Sequence, residues 1–330
     1  MTSLKLRTTV EHILRHLPKP SNQKQVPLFV GLCGPQGSGM DFRSKTTLTQ
    51  QIATELQSPP YNLKVVSFSV DDLYLPFERQ LKVASSNPGN RLLQYRGNAG
   101  THDVTLGQKT FATLLKAHNQ FLQSRIVVPV PIPQYNKASK NGRGDQVPID
   151  QWPKVLPPYD VILFEGWMLG FKPLSEQDLK KAYYASPDHS HVRKFDVQEI
   201  VTVNEYLRLW EKQIYPYLDV FIHIDTEDIN FVYDWRWEQE EHLRRLVNNP
   251  DAGLTREEVQ DFVDRFMPSY ELYLPRLRKE NVFVGLPELD NSVQELKMSH
   301  PETRGRHLKL QINKSRDMSS SMLVNLKNNL

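Results

Sequence analysis

Four strand-like runs constrain this chain most, because each stops at a glycine or a carboxylate. VPLFVGLCG (26–34) is apolar nearly throughout and ends in Gly34, the pattern of a strand buried on both faces. LKVVSFSV (63–70) closes at the pair Asp71–Asp72, YDVILFEGW (159–167) at Glu165, and DVFIHIDTE (219–227) at Asp225. Helical spacing fills the gaps: Leu48, Ile52 and Leu56 within 46–57, and a longer stretch over 103–122 despite Gly107. RIVVPVPI reads as a short strand, two amphipathic helices are expected near 228–247 and 256–279, and NVFVGL as a last strand. Strand and helix alternating without a long linker predict one α/β domain over residues 1–299 with a parallel sheet. Val10, Ile13, Leu14 and Leu17 predict an amphipathic helix within 1–20. Segment 137–158 has no periodicity and reads as an exposed loop, and the Ser-, Asn- and Lys-rich stretch 300–330 is expected to be mostly disordered.

Composition narrows the function. A hydrophobic fraction of 39% and a charged fraction of 24% over 330 residues suit a globular chain with a real core. The 41 basic and 38 acidic residues leave a net charge of only +3, which speaks against a nucleic-acid binder but not against a small anionic ligand. Cys33 is the sole cysteine, so a disulfide framework or a thiolate metal site within the chain is excluded. No run approaches 18 apolar residues and no secretory h-region opens the chain, so no membrane association and a cytoplasmic setting are expected. Nothing in the sequence specifies an oligomeric state.

The strongest chemical signal is Gly34-Pro35-Gln36-Gly37-Ser38-Gly39, set between a predicted strand and a predicted helix. A phosphate cradle needs glycines because the chain must curl with its N–H groups inward, where a Cβ would crowd the phosphates. The helix N-terminus beyond it adds donors and the positive end of a dipole. A Lys then reaches the β- and γ-phosphates of ATP and the next hydroxyl ligates Mg²⁺. Lys45, Thr46 and Thr47 supply that sequence, but Met40-Asp41-Phe42-Arg43-Ser44 intervenes. Deleting the pentapeptide would restore an uninterrupted GPQGSGKTT. Five helical residues would carry the lysine about 7 Å away at ~1.5 Å per residue. Either the insert bulges outward with Lys45 in place, or the site is damaged, or the segment is a gene-model error.

Asp71-Asp72-Leu73-Tyr74 falls at the carboxyl end of the second strand, where open α/β sheets bind their ligands. A carboxylate there can take a hydroxyl proton or hold a metal-bound water, or else simply cap a helix. Glu165 can orient Mg²⁺ or the attacking group from the end of its own strand.

Together these residues resemble the phosphoribulokinase/uridine kinase branch of P-loop kinases, and within it the D-glycerate 3-kinases and their fungal homologues. The resemblance rests on GPQGSG…KTT, on Ser69, Asp71, Asp72 and Tyr74, and on Arg96-Gly97-Asn98-Ala99-Gly100-Thr101-His102-Asp103. It continues through Pro133-Gln134-Tyr135-Asn136-Lys137, Glu165-Gly166-Trp167 with Gly170-Phe171, Trp235-Arg236 with Gln239-Glu240, and Phe262 to Tyr270. It implies a P-loop kinase fold with a helical lid near 228–250, ATP and Mg²⁺ as cofactors, and a small hydroxyl-bearing acceptor. By position it makes Asp71 the base and Lys45 and Arg236 the cations on the moving phosphoryl group. Thr46 and Glu165 become metal ligands, and Asp72, Tyr74, Arg96, Thr101, His102, Asp103, Tyr135 and Lys137 acceptor-pocket groups. Arg236 and Glu240 also stand at i and i+4, so a helix-surface ion pair is the alternative explanation. The interrupted loop keeps open a nucleotide-binding module without catalysis, and the acceptor could be a nucleoside or another metabolite.

Overall fold

The computed structural model describes residues 3–18, 26–39, 47–297 and 305–325. Several of its helices begin where side chains can satisfy free amides. Ser3 caps α1 (Leu4–His16) through the Leu6 N–H, and Thr47 forms a reciprocal capping box with Gln50 at the head of α2 (Leu48–Gln57). After α3 (Phe77–Ser86), Asp103 caps the long α4 (Val104–Ser124). Then come α5 (Glu176–Ala185), α6 (Val197–Gln213) and α7 (Phe231–Val247), the last within the expected lid region. The single helix expected over 256–279 is two, α8 (Arg256–Asp264) and α9 (Met267–Lys279), with Pro268 in the first turn of α9. Proline fits there because a first-turn N–H needs no partner, whereas a continuing helix would lose a bond. A single-turn α10 (Asn291–Gln294) comes last.

The strands are β1 (Leu28–Cys33), β2 (Val65–Ser69), β3 (Val130–Pro131), β4 (Tyr135–Asn136), β5 (Asp145–Gln146), β6 (Lys154–Val155), β7 (Val161–Gly166), β8 (Val220–Thr226), β9 (His307–Ile312) and β10 (Met318–Leu323). Six of them form one sheet in the order β10-β9-β8-β1-β7-β2, parallel except for the β9–β10 hairpin. Every residue of β1, β7 and β8 is buried, as helices on both faces require. The register aligns the carboxyl ends: Ser69 lies beside Glu165, and Glu165 beside Leu32, so three strands end flush.

Several expectations need correction. Residues 305–325 are ordered as β9 and β10, with Leu308, Leu310 and Ile312 buried in the core. The core accepts β9 because its apolar residues alternate, a period too short to stand out in a polar stretch. NVFVGL forms turns instead of a strand, and RIVVPVPI contributes only two strand residues, since its prolines cannot donate to a ladder. Segment 137–158 is built from β5, a 3-10 turn and β6, with β5 paired to β4. The buried ion pair of Lys297 with Asp219 (2.8 Å) anchors the chain just before the hairpin. Leu310→Ala is expected to lower unfolding free energy by about 2–5 kcal/mol, measured by denaturant titration. A negligible change would mean that the hairpin is not part of the cooperative core.

Candidate active site

The glycine-rich turn after β1 adopts conformations that side chains oppose, with φ of +79° at Gly37 and +91° at Gly39. A Cβ on Gly37 would fall 2.5 Å from Trp235 Cβ, so bulk is excluded on that side as well. Ser38 N–H donates to Pro35 O (3.0 Å) and Gln36 N–H to the Tyr270 hydroxyl (3.2 Å). Ser38 Oγ and Gln36 Oε1 are buried without a hydrogen-bond partner among the described residues. Unsatisfied polar atoms in a curled loop suit a polar ligand.

The bond that answers the interruption joins Leu48 N–H to Gly39 O at 2.8 Å. Without residues 40–44, Leu48 would stand four places after Gly39, the spacing of an α-helical hydrogen bond. The insert therefore leaves α2 in helical register with the loop. The insert itself, Lys45 and Thr46 lie outside the described residues. Thr47 is spoken for: its hydroxyl accepts from Gln50 N–H (3.1 Å).

Across from this loop, a 3-10 turn at Val70–Leu73 presents the acidic pair. Ser69 Oγ accepts from Asp71 N–H (3.1 Å), and Asp72 Oδ2 accepts from Ser69 N–H (2.9 Å). That reciprocal cap turns Asp72 to the backbone and Asp71 outward. Burial pushes the Asp72 carboxyl up to about 6, against the pull of the Ser69 amide. Burial acts on Asp71 too, but the Lys137 ammonium, in direct contact, and the Tyr74 hydroxyl together hold its carboxyl below the ordinary carboxylate value. Asp71 is thus ionised at neutral pH.

A cavity of about 840 Å³ opens between these walls, and Gln36, Asp71, Lys137, Glu165, Arg96 and Arg236 all face it. Tyr74 joins them. Of the stretch 96–103, only Arg96 reaches the cavity, and its guanidinium donates to Gly142 O (2.8 Å) and to the Arg143 carbonyl. Thr101 is fully buried and links Asn98 O to Gly97 N–H. His102 stacks on Tyr74 with centroids 4.5 Å apart and meets Trp210 edge-on, and burial pushes its pKa down to about 3. A neutral ring packed that way offers no charge to an anion. Asp103 caps α4 and pairs with Arg79. Tyr135 sets its ring edge-on to Tyr74 at 5.3 Å. Asp72, Thr101, His102, Asp103 and Tyr135 thus stand behind the cavity wall.

Arg236 forms the expected i, i+4 pair, but a buried one instead of a helix-surface one. It pairs with buried Glu240 one turn on, and it still faces the cavity, 5.1 Å over the Phe262 ring. Glu240 in turn accepts from Leu254 N–H at 3.0 Å. The sequence missed Tyr95, Arg143 and Arg265 in the cavity wall; both guanidiniums stack on Tyr95, at 4.7 and 4.9 Å. Arg143 and Asp145 belong to a tripeptide that looks like an adhesion signal; Asp145 Oδ1 accepts from Phe77 N–H (2.9 Å) instead. The only signal for Arg143 was an Arg-Gly-Asp turn inside a segment without periodicity, and Arg265 lay within the Phe262–Tyr270 stretch of the resemblance without a role.

With the glycine-rich turn at one wall, an ionised carboxylate on another and several cations between, the cavity suits transfer of a phosphoryl group to a hydroxyl. Lys137→Met is expected to move the Asp71 pKa upward, because the cation that stabilises the carboxylate is gone, as read by NMR titration of its carboxyl carbon. A shift downward or none would remove Lys137 from this account.

No family model matches the chain. Among curated proteins, it is 40% identical over 254 residues to the chloroplastic D-glycerate 3-kinase of Arabidopsis thaliana, covering 77% of this chain and 49% of the plant protein. The chain thus spans about half the length of that relative. It is 35% identical over 279 residues to an uncharacterized kinase, mug58, of Schizosaccharomyces pombe, covering 84% of this chain and 91% of the yeast protein. Among solved structures, the D-glycerate 3-kinase of Cryptococcus neoformans superposes with a TM-score of 0.77 at 28% identity, over 98% of this chain and all of that one. No helix among the described residues is long and apolar enough to cross a membrane.

Proposed function

The chain belongs to the family of D-glycerate 3-kinase and its fungal kinase homologues, and on that premise we propose that it transfers the γ-phosphate of ATP to a hydroxyl of D-glycerate or a similar hydroxy acid. The observation that carries this reading is Asp71, kept ionised by Lys137 and Tyr74 in the cavity that the glycine-rich loop borders.

The chemistry asks little covalent work of the protein, so positioning and charge dominate. Loop amides hold the triphosphate. Asp71 orients the acceptor hydroxyl and takes its proton as the new O–P bond forms. Its lowered pKa is tolerable because in a loose transition state that proton leaves late. Lys137 and Arg236 oppose negative charge on the moving group, Arg236 with its own partner Glu240 fixing its direction. Arg96 and Lys137 are the groups proposed to meet the acceptor carboxylate, with Tyr74 beside them. Thr101, His102, Asp103, Tyr135 and Asp72 are proposed to act indirectly, by holding the turn that carries Asp71 and Tyr74.

Magnesium fits this donor set. Mg²⁺ takes one or two carboxylates and fills its remaining positions with phosphate oxygens and water, and buried Glu165 faces the cavity beside the phosphate loop. Glu165 and Thr46 are the groups that would hold it, and bound there it would neutralise phosphate charge. A cytoplasmic setting is part of the same proposal, to which a single cysteine adds weak support because it suits a reducing compartment.

The rival reading, a nucleotide-binding module without turnover, draws on the interrupted loop; the Gly39–Leu48 bond supports an intact site instead. Asp71→Asn is expected to keep Mg-ATP affinity while lowering kcat with D-glycerate roughly a hundred- to ten-thousandfold. Turnover near the wild-type rate would remove Asp71 as base. A chain lacking residues 40–44 should fold and bind Mg-ATP at least as tightly as the full chain, by calorimetry. Lost affinity would show that the pentapeptide is a working part of the loop.

A further inference from the structure

Within the stretch 300–330, the turn at 313–317 returns to the phosphate loop. The turn between β9 and β10 is closed by Asn313, whose N–H donates to Asp317 O (3.0 Å) and whose Oδ1 accepts from Asp317 N–H (3.0 Å). This turn holds Arg316 at a left-handed φ of +69°. From there Arg316 Nε donates to Gly37 O at 2.7 Å, its Nη2 pairs with Glu238 of α7 at 2.6 Å, and its guanidinium lies 5.2 Å over the Trp235 ring. Two neighbours fix the turn itself. Trp235 Nε1 donates to Lys314 O (2.7 Å), and Lys314 pairs with Asp234 (2.6 Å). From the other end of the chain, Lys5 Nζ of α1 donates to Arg316 O at 3.1 Å.

We propose that this turn is a latch on the phosphate loop, and that Arg316 is a positioning residue for the nucleotide. The inference rests on reading Gly34–Gly39 as the phosphate cradle. In a trans peptide the carbonyl and the following amide point to opposite sides. Holding the Gly37 carbonyl against a guanidinium therefore keeps the Ser38 N–H on the opposite side of the peptide, where it closes the turn on Pro35 O and fixes the curl of the loop. A charge-assisted bond also outcompetes water for that carbonyl. Unlatched, the peptide can rotate and offer its carbonyl oxygen to the triphosphate, which it would repel. Because the same guanidinium engages Trp235 and Glu238, the loop and the helix bearing Arg236 share one fastening.

The test uses the full chain with Arg316→Gly and Arg316→Lys. Glycine removes the side chain yet suits the left-handed backbone, so folding is spared. Calorimetric titration with Mg-ATP and thermal melting are the two readouts. For Arg316→Gly, affinity should fall about tenfold, equivalent to about 1.4 kcal/mol, with the melting temperature little changed. Arg316→Lys should recover part of the loss, since it restores a charged donor. Undiminished affinity in Arg316→Gly overturns the latch. So does a loss accompanied by a matching fall in melting temperature, or one that Arg316→Lys does nothing to repair. If the wild-type chain itself binds no Mg-ATP, the reading of the phosphate loop fails and takes the latch with it.

Discussion

The flush parallel register of β1, β7 and β2 is the constraint on which the rest depends. Pairing Leu32 with Glu165 and Glu165 with Ser69 brings three strand ends to one edge. The glycine-rich turn, Glu165 and the Asp71 turn then meet without further instruction. A slip of one residue would reverse every side chain on the strand concerned and bury Glu165 on the wrong face. Full burial of both sheet faces makes such a slip prohibitive, so hydrophobic packing far from the cavity sets the geometry inside it.

Two adjacent carboxylates show how finely that edge is tuned. Asp71 and Asp72 are sequence neighbours, yet one is held ionised by an ammonium and the other is pushed up by burial to about 6. Environment divides their labour: the first can interact with substrate, while the second fastens the turn through the Ser69 amide. The same division recurs in the Arg96–Asp103 stretch. One residue reaches the cavity, and the others form the aromatic and hydrogen-bonded backing that keeps Tyr74 in place.

Much of this was legible beforehand, for identifiable reasons. Strong apolar runs ending in glycine or acid located β1, β2, β7 and β8 to within two residues. The loop after β1 and the acidic turn after β2 came with those ends. What escaped was whatever depends on tertiary contact. His102 reads from sequence either as an acceptor-pocket group or as a structural histidine, and only packing against Tyr74 and Trp210 decides for the neutral spacer. Arg143 and Arg265 carry no periodic signal, because their place in the wall comes from stacking on Tyr95. The alternation of Leu308, Leu310 and Ile312 was present but short, and serine and lysine around it weigh toward disorder.

The outer strand of the sheet carries a consequence for the crowded cell. β10 ends the sheet, and its backbone on the far side is an invitation to any extended peptide. Met318-Ser319-Ser320-Ser321-Met322 answers that invitation poorly: the ladder shifts register between Met318 and Ser320, and three successive serines prefer water to a neighbouring strand. An edge so polar and irregular disfavours the addition of a further strand along β10.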